Sequence, residues 1–199
     1  MKRFSSMRAV LALGIATLAG QFFGVRDAFA GPILLSLDIT ASNVSVGEIF
    51  DVELNISGLE PEDLGGFDLD LTFDPAVVQY QSYSLGTELA DAFFGGPIDL
   101  SDDSRTDTGV LQLAEVSGLF DFSAQPSAFL LATVTFLAQQ RGLSPLTISK
   151  AELSDSTGLM SLAIDEINGA SVAVPTPSTL LLLPFGIALL FARRPQVRQ

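Results

Sequence analysis

Carboxylates are the main residues of this 199-residue chain that could take part in chemistry. Aspartates occur close together at Asp68 and Asp70, and again at Asp102 and Asp103. Clustered carboxylate oxygens suit Ca²⁺, which prefers oxygen ligands. Neither run has the glycine and terminal glutamate of an EF-hand loop, so a solvated polar surface is the competing interpretation. We expect no cofactor, and these four aspartates are the candidates if a Ca²⁺ ion binds.

The residue types that most enzymes use are missing. The sequence contains no histidine and no cysteine, which excludes the common catalytic triads, thiol catalysis and most zinc sites. A serine–lysine pair would need Lys150, which lies in a predicted strand. The paired carboxylates of a glycoside hydrolase would have to face each other in a cleft, and 23 acidic residues bring some acids together by chance. We therefore predict a protein that is not an enzyme and has no catalytic residues.

Aromatic residues form a candidate ligand contact. Exposed rings offer flat apolar area to a sugar or a protein, and packing in the core is the competing interpretation. The candidates are Tyr80, Tyr83, Phe93 and Phe94.

The middle of the chain is strongly acidic. Residues 31–174 carry 22 of the 23 acidic residues but only three basic ones, Arg105, Arg141 and Lys150. Proteins bind nucleic acid mainly by neutralising phosphates, so this excess of negative charge predicts no nucleic-acid partner.

The first 30 residues have the pattern of a secretory signal peptide. Basic residues at positions 2, 3 and 8 precede an apolar stretch over 9–23, and Ala28 and Ala30 match the small-x-small cleavage pattern. An uncleaved membrane anchor is the alternative, but the stretch is short for a hydrocarbon core of about 30 Å. We predict export through the inner membrane and a mature chain that starts at Gly31.

Residues 31–174 predict one all-β domain. Apolar and polar residues alternate over 50–57 and 67–74, which places one side of each segment in a core and the other in water. Further strands are predicted over 33–40, 77–84, 109–117, 129–138, 145–153 and 167–174. Consecutive apolar residues in 129–138 predict a strand covered on both sides. The spacing predicts an eight- or nine-stranded antiparallel jelly-roll β-sandwich, flanked by an N-terminal signal helix and a C-terminal hydrophobic helix.

The chain changes character after residue 174. A proline-containing segment ends the last strand, and an apolar run over 180–192 follows it. As a helix, residues 179–192 span about 21 Å, which is short of a bilayer core of about 30 Å. The arginines beyond the run stay on the cytoplasmic side. The tail therefore predicts a transient membrane anchor, with a plain C-terminal anchor as the alternative. The candidate processing motif before the run consists of Pro175, Thr176, Pro177, Ser178 and Thr179. The membrane stop after it consists of Arg193 and Arg194.

This arrangement of a proline motif, a short apolar span and terminal arginines resembles the bacterial PEP-CTERM sorting signal. In that family a membrane protease, exosortase, acts near a Pro-Glu-Pro motif and releases or re-attaches the protein. The resemblance implies exosortase processing of residues 175–199. Thr176 stands where the family usually has glutamate.

Three segments of the acidic domain resemble cohesins. Residues 46–57 resemble the second cohesin strand, and residues 65–78, with Gly65-Gly66 and Asp74-Pro75, resemble the next strand and its turn. Residues 129–136, followed by Gly142, resemble the late strand before the sheet closes. Cohesins and the related carbohydrate-binding modules of cellulosomes are jelly-roll sandwiches, and cohesins dock dockerin domains on one sheet face. The resemblance implies this fold and, as an expectation, a dockerin-like protein or a polysaccharide partner.

The sequence thus predicts a non-catalytic exported protein with a signal peptide (1–30), a cohesin-like domain (31–174) and a sorting signal (175–199). After transient anchoring in the inner membrane it reaches the cell surface or an extracellular polysaccharide matrix such as a biofilm. The alternative is a structural adhesive domain whose acidic surface is bridged by Ca²⁺ and which has no discrete ligand.

Overall fold

The computed structural model describes residues 31–41, 43–90 and 96–175. Several predicted features lie outside these residues: the signal peptide with Ala28 and Ala30, the candidate contacts Phe93 and Phe94, and the tail from Thr176 onward with Arg193 and Arg194. The part of the chain that is described contains no helix long and apolar enough to cross a bilayer.

The described residues form ten β-strands and one short 3₁₀-helix. The strands are β1 (Leu34–Ile39), β2 (Ile49–Ser57), β3 (Leu64–Thr72), β4 (Val78–Leu85), β5 (Ile98–Asp99), β6 (Val110–Val116), β7 (Ala128–Ala138), β8 (Gly142–Asp155), β9 (Glu166–Asn168) and β10 (Ala170–Val174). The 3₁₀-helix, Thr106–Thr108, lies between β5 and β6.

The strands form two five-stranded sheets that pack as a sandwich. The first sheet has the order β4-β7-β2-β1-β9 and the second the order β10-β8-β3-β6-β5. Neighbouring strands are antiparallel except β1 and β9, which run parallel. The predicted all-β sandwich is confirmed. The sheets are antiparallel as predicted except at β1 and β9. The prediction of eight or nine strands is wrong, because the described residues form ten.

Two local features account for the difference in strand number and direction. Strand β5 has only two residues, Ile98 and Asp99, so it is too short to give an alternating pattern. Gly169 divides the predicted strand 167–174 into β9 and β10. These two strands then join different sheets, β9 beside β1 and β10 beside β8.

The core lies between the inner sides of the two sheets. Phe136 of β7 is fully buried, with its ring centroid 5.7 Å from that of Phe50 and 5.0 Å from that of Phe73. Phe50 belongs to the first sheet, whereas Phe73 follows β3 of the second. These rings therefore join the two layers, and burial of large aromatic side chains is a main source of stability in such a core.

A β-bulge explains the consecutive apolar residues of β7. Leu54 pairs with Ala132 and Asn55 with Leu130, which leaves Leu131 as the extra residue. As a result Leu131 and Ala132 are both buried. The bulge accounts for this pair of buried neighbours, whereas Leu137 lies half-buried on the outer side of the strand.

Candidate functional site

The outer side of β8, β3, β6 and β5 forms one continuous surface, which we call the β8-β3-β6-β5 face. In β3 the side chains of Phe67, Leu69 and Leu71 are buried, so the intervening Asp68 and Asp70 point outward. Strand register places Asp68 between Ala114 of β6 and Glu152 of β8.

A hydrogen-bonded ion pair lies at the centre of this face. Lys150 Nζ is 2.7 Å from Asp68 Oδ2, and Gln112 Nε2 donates to Asp68 Oδ1 at 2.9 Å. Partial burial alone would raise the pKa of Asp68, but the bonds from Lys150 and Gln112 outweigh it and hold that pKa below its usual value. The hydrogen bond to Asp68 raises the pKa of Lys150 in turn. Both groups are therefore charged at neutral pH.

A second ion pair extends the polar part along β3, away from the residues that pair with β5. Arg105 Nη2 lies 3.1 Å from Asp70 Oδ1. Of the three cations in the described residues, Arg105 and Lys150 thus lie on this face and Arg141 does not pair there. Because Glu152 and Asp102 also belong to the face, its acids still outnumber its bases.

The other end of the face is apolar and exposed. Leu100, Val116, Leu159 and Met160 border an open depression of about 670 Å³. Their exposed fractions are 57%, 43%, 87% and 69%, and Ile98, paired with Val116, is 59% exposed. An apolar group of this kind beside polar side chains is typical of an interaction surface.

Two local structures hold this apolar end in place. A Cβ on Gly66 would lie 2.8 Å from the backbone oxygen of Glu115, so glycine is needed at the floor of the depression. Asp155 Oδ1 accepts hydrogen bonds from the backbone N–H groups of Leu159 and Met160, each at 3.1 Å. That carboxylate fixes the loop after β8 so that it presents two apolar side chains.

The outer side of the first sheet has a different character. Its outward residues in β2 include Asp51 and Asn55, which bond to Thr135 and Asp38 respectively. Ile49, 65% exposed, is the apolar residue at the start of the same strand. The combination of an exposed apolar group with ion pairs is therefore a property of the β8-β3-β6-β5 face.

The predicted contact residues Tyr80 and Tyr83 lie at the edge between the sheets. Both are half-buried and pack against the core, and their hydroxyls donate to Asp103 Oδ2 at 3.4 Å and Asp99 Oδ2 at 2.8 Å. Burial, reinforced by the neighbouring carboxylates, raises the pKa of Tyr80 to about 12 and that of Tyr83 in the same direction. These tyrosines join β4 to the β5 segment.

The candidate metal ligands are placed apart from one another. Asp68 and Asp70 are paired with cations on the face. Asp102 accepts the backbone N–H and the hydroxyl of Ser104 at 2.9 and 3.0 Å, which lowers its pKa. Within residues 31–41, 43–90 and 96–175, no three acidic side chains lie close enough to share a metal ion. The structure therefore does not gather these four aspartates into one site.

Glu115 is a notable residue that sequence reasoning missed. It is 1% exposed on β6, and its Oε1 has no hydrogen-bond partner. Burial first, and then the charges of Asp99 and Glu88, raise its pKa to about 7. The alternation of this strand could have predicted that Glu115 points inward, because it shares one side with Leu111 and Leu113.

Glu115 and Asp99 do not form the cleft that a glycoside hydrolase needs. They are register partners, but Glu115 is buried whereas Asp99 is exposed and bonded to Tyr83. A sugar therefore has no access to both carboxyl groups.

The comparison with protein families identifies one matching model. The cohesin domain model matches residues 35–159. This range covers most of the described sandwich, from β1 to the loop after β8. No curated protein sequence matches the chain significantly.

Solved structures with the same fold are also cohesins. A type II cohesin domain from the cellulosome of Acetivibrio cellulolyticus has a TM-score of 0.60 at 19% identity, over 71% of this chain and 95% of that one. The sixth cohesin of scaffoldin B from the same organism, in complex with a mutant Cel5 dockerin, has a TM-score of 0.56 at 18% identity, over 72% and 99%. A type I cohesin–dockerin complex from Clostridium thermocellum has a TM-score of 0.57 at 9% identity, over 73% of this chain and 96% of that one.

Proposed function

The chain belongs to the cohesin family, and we propose that its sandwich domain binds a dockerin-like partner protein through the β8-β3-β6-β5 face. Cohesin domains are non-catalytic protein-interaction modules. Two of the similar solved structures are described as complexes with dockerins, which supports a protein partner of that kind.

The observation that carries this proposal is the juxtaposition of exposed apolar side chains and ion pairs on one sheet face. Leu100, Val116 and Met160 give apolar area that a partner can remove from water. The Lys150–Asp68 pair next to them offers directional polar contacts. Protein interfaces commonly combine apolar area with polar and charged contacts of this kind.

The charge of the face defines the chemistry of the partner. Asp68, Asp70 and Glu152 outnumber the two basic side chains beside them. A partner surface with apolar anchors flanked by lysine or arginine would be complementary to it, and electrostatic complementarity favours specific association.

Two matched substitutions test the choice of face. Leu100→Asp introduces a charge into the apolar end, whereas Ile49→Asp makes the same change at an exposed apolar residue of the other sheet. Each variant is immobilised as the full chain and exposed to secreted proteins of its source organism. Captured proteins are then titrated individually by calorimetry.

We expect Leu100→Asp to weaken binding of the partner at least tenfold, and Ile49→Asp to leave it unchanged, because only the first residue lies at the interface. Equal binding by the wild type and both variants would reject this face. Retention of a purified polysaccharide but no protein would replace the protein partner with a glycan.

We also propose export and sorting through the chain ends, which lie outside the described residues. The pattern of residues 1–30 and the resemblance of residues 175–199 to a PEP-CTERM signal support this. Strand β10 ends at Val174, next to the exposed Pro175. The tail would thus leave the domain directly from its last strand, and exosortase would act on it in the inner membrane before release to the cell surface or matrix.

Intact-mass measurement of the native protein tests the sorting proposal. The expected mature form starts at Gly31 and lacks Arg193 and Arg194. A native protein that retains residues 193–199 would reject processing. Deleting the exosortase should leave the unprocessed chain in the membrane fraction.

A further inference from the structure

Glu115 is a buried acidic residue that takes no part in the proposed binding face. Its side chain lies on the inner side of β6, 1% exposed, and its Oε1 has no hydrogen-bond partner. An ionised carboxylate without a partner is costly in such a place, whereas the neutral acid is tolerated. The protein interior therefore favours the protonated form of this residue.

Asp99 is the nearest charged neighbour by strand register. It pairs directly with Glu115 across β5 and β6, and side chains in such opposite positions lie on the same side with Cβ atoms roughly 5 Å apart. Asp99 also accepts the Tyr83 hydroxyl at 2.8 Å, which connects β5 to β4 of the other sheet.

The remaining surroundings of Glu115 offer no positive charge among the described residues. Glu88, in the turn after β4, acts on it as a second negative group, and β3 places Phe67 opposite it. The titratable groups on β4 are Tyr80 and Tyr83, and their hydroxyls are engaged with Asp103 and Asp99 respectively. Ionisation of Glu115 therefore adds a charge that meets only repulsion.

We propose that protonated Glu115 lets β5 lie against β6, and that ionisation of this buried side chain beside Asp99 loosens β5 and so disturbs the β8-β3-β6-β5 face. Strand β5 points Asp99 inward and Ile98 outward, and Leu100 follows directly. A repulsion between Asp99 and Glu115 on the inner side therefore displaces two apolar side chains of the outer face. The regulatory part of this inference rests on the proposed function.

Strand β5 is weakly attached, which makes such a response physically reasonable. It has two residues and pairs with β6 at Ile98 and Asp99. Its backbone attachment continues through the Leu100 N–H bond to the Ala114 oxygen at 2.9 Å and the bridge between Asp102 and Gln112. The Ser101 hydroxyl adds a side-chain contact, since it accepts the Ala114 N–H at 3.1 Å. Segments with few backbone hydrogen bonds open locally at low free-energy cost.

Hydrogen exchange of the full chain at pH 6 and pH 8 tests the proposal without a partner. The protection factor of the Leu100 amide is compared in the wild type, Glu115→Gln and Glu53→Gln, a control on the other sheet. Opening returns the pKa of Glu115 from about 7 to its ordinary 4.5. Linkage then predicts about a tenfold loss of protection between pH 6 and pH 8 in the wild type and in the control.

Glu115→Gln should show no such loss, since its side chain stays neutral at both pH values. Equal protection of wild-type Leu100 at pH 6 and pH 8 would overturn the proposal, as would the same loss in Glu115→Gln. Should that variant not fold, Asp99→Asn serves instead. Asp99→Asn removes the negative charge that repels ionised Glu115, so the loss of Leu100 protection between pH 6 and pH 8 should fall from about tenfold to a few-fold.

Two further arms separate this inference from its alternatives. If millimolar Ca²⁺ at pH 8 restores protection in the wild type, Glu115 and Asp99 hold a cation, and a proton-only role is rejected. If the captured partner binds wild type more weakly at pH 8 than at pH 6 but binds Glu115→Gln equally, the regulatory link is supported. If hydrogen exchange of the Leu100 amide depends on pH but partner binding does not, the regulatory link is rejected and the proposed binding face is unaffected.

Discussion

The hydroxyl of Tyr83 donates a hydrogen bond of 2.8 Å to Asp99 Oδ2, and this bond joins the edge strands of the two sheets. Tyr80 makes a longer bond of 3.4 Å to Asp103 beside it. Two of the four residues that the sequence offered as ligand contacts thus have a structural role at the β4–β5 edge, because their hydroxyls are already hydrogen-bonded.

The first prediction concerns this edge. Tyr83→Phe removes the hydroxyl but keeps the packed ring, so we expect the free energy of unfolding to fall by about 1 kcal/mol, as for a typical lost hydrogen bond. Tyr80→Phe, whose bond is longer, should cost less than half of that. Chemical denaturation measures both, and an equal or larger effect at Tyr80 would contradict the assignment.

The second prediction concerns the pH dependence of stability. The pKa of Glu115 is about 7 in the folded protein and 4.5 as its ordinary value. Its stabilising contribution is therefore complete below about pH 4.5 and is lost as the pH rises through 7. Over this window the free energy of unfolding of Glu115→Gln should rise relative to that of the wild type, by roughly 3 kcal/mol at most, because each pKa unit corresponds to ~1.4 kcal/mol.

Thermal unfolding of the two proteins between pH 4.5 and pH 8 measures this gain. The difference in Tm between Glu115→Gln and the wild type should increase with pH. The control Glu53→Gln should give a flat difference, and a flat difference for Glu115→Gln would disprove the contribution of this residue.

The third prediction concerns a turn that needs glycine. Gly109 has φ of 80°, and a Cβ there would lie 2.3 Å from the backbone oxygen of Phe73. Gly47 also has positive φ, at 91°, but a Cβ there would meet no atom within 4 Å. Gly109→Ala should therefore lower the free energy of unfolding by several kcal/mol, and Gly47→Ala by about 1 kcal/mol.

Denaturant titration of both alanine variants tests this comparison. Both positions have positive φ, so the difference between the two variants reports the steric contacts of a Cβ at residue 109 with the Phe73 oxygen and with Pro75 Cδ, 2.8 Å away. Similar destabilisation by the two substitutions would argue against the described path of the chain before β6.

The fourth prediction concerns calcium. Asp68 and Asp70 are neutralised by Lys150 and Arg105, and Asp102 is engaged by Ser104. We expect 5 mM Ca²⁺ to change Tm by less than about 1 °C, because binding raises Tm only where ligand exceeds its Kd. A larger rise that EDTA reverses would favour the alternative of an acidic surface bridged by Ca²⁺.

The sequence by itself determined the sandwich, because alternation over 50–57 and 67–74 can bury one side only if the segments are strands. It also determined that Asp68 and Asp70 face outward, since they alternate with Phe67, Leu69 and Leu71 in β3. Periodicity of two is a local property, and it needs no knowledge of which strands become neighbours.

The tertiary structure alone decided which residues meet across strands. Lys150 reaches Asp68 from a strand 82 residues away, and Asp99 faces Glu115 through a strand of two residues. Such pairings depend on strand order and register, which the alternation leaves undefined. For the same reason the apolar end of the face, formed by Leu100, Val116 and Met160, became visible only when β5, β6 and the loop after β8 were brought together.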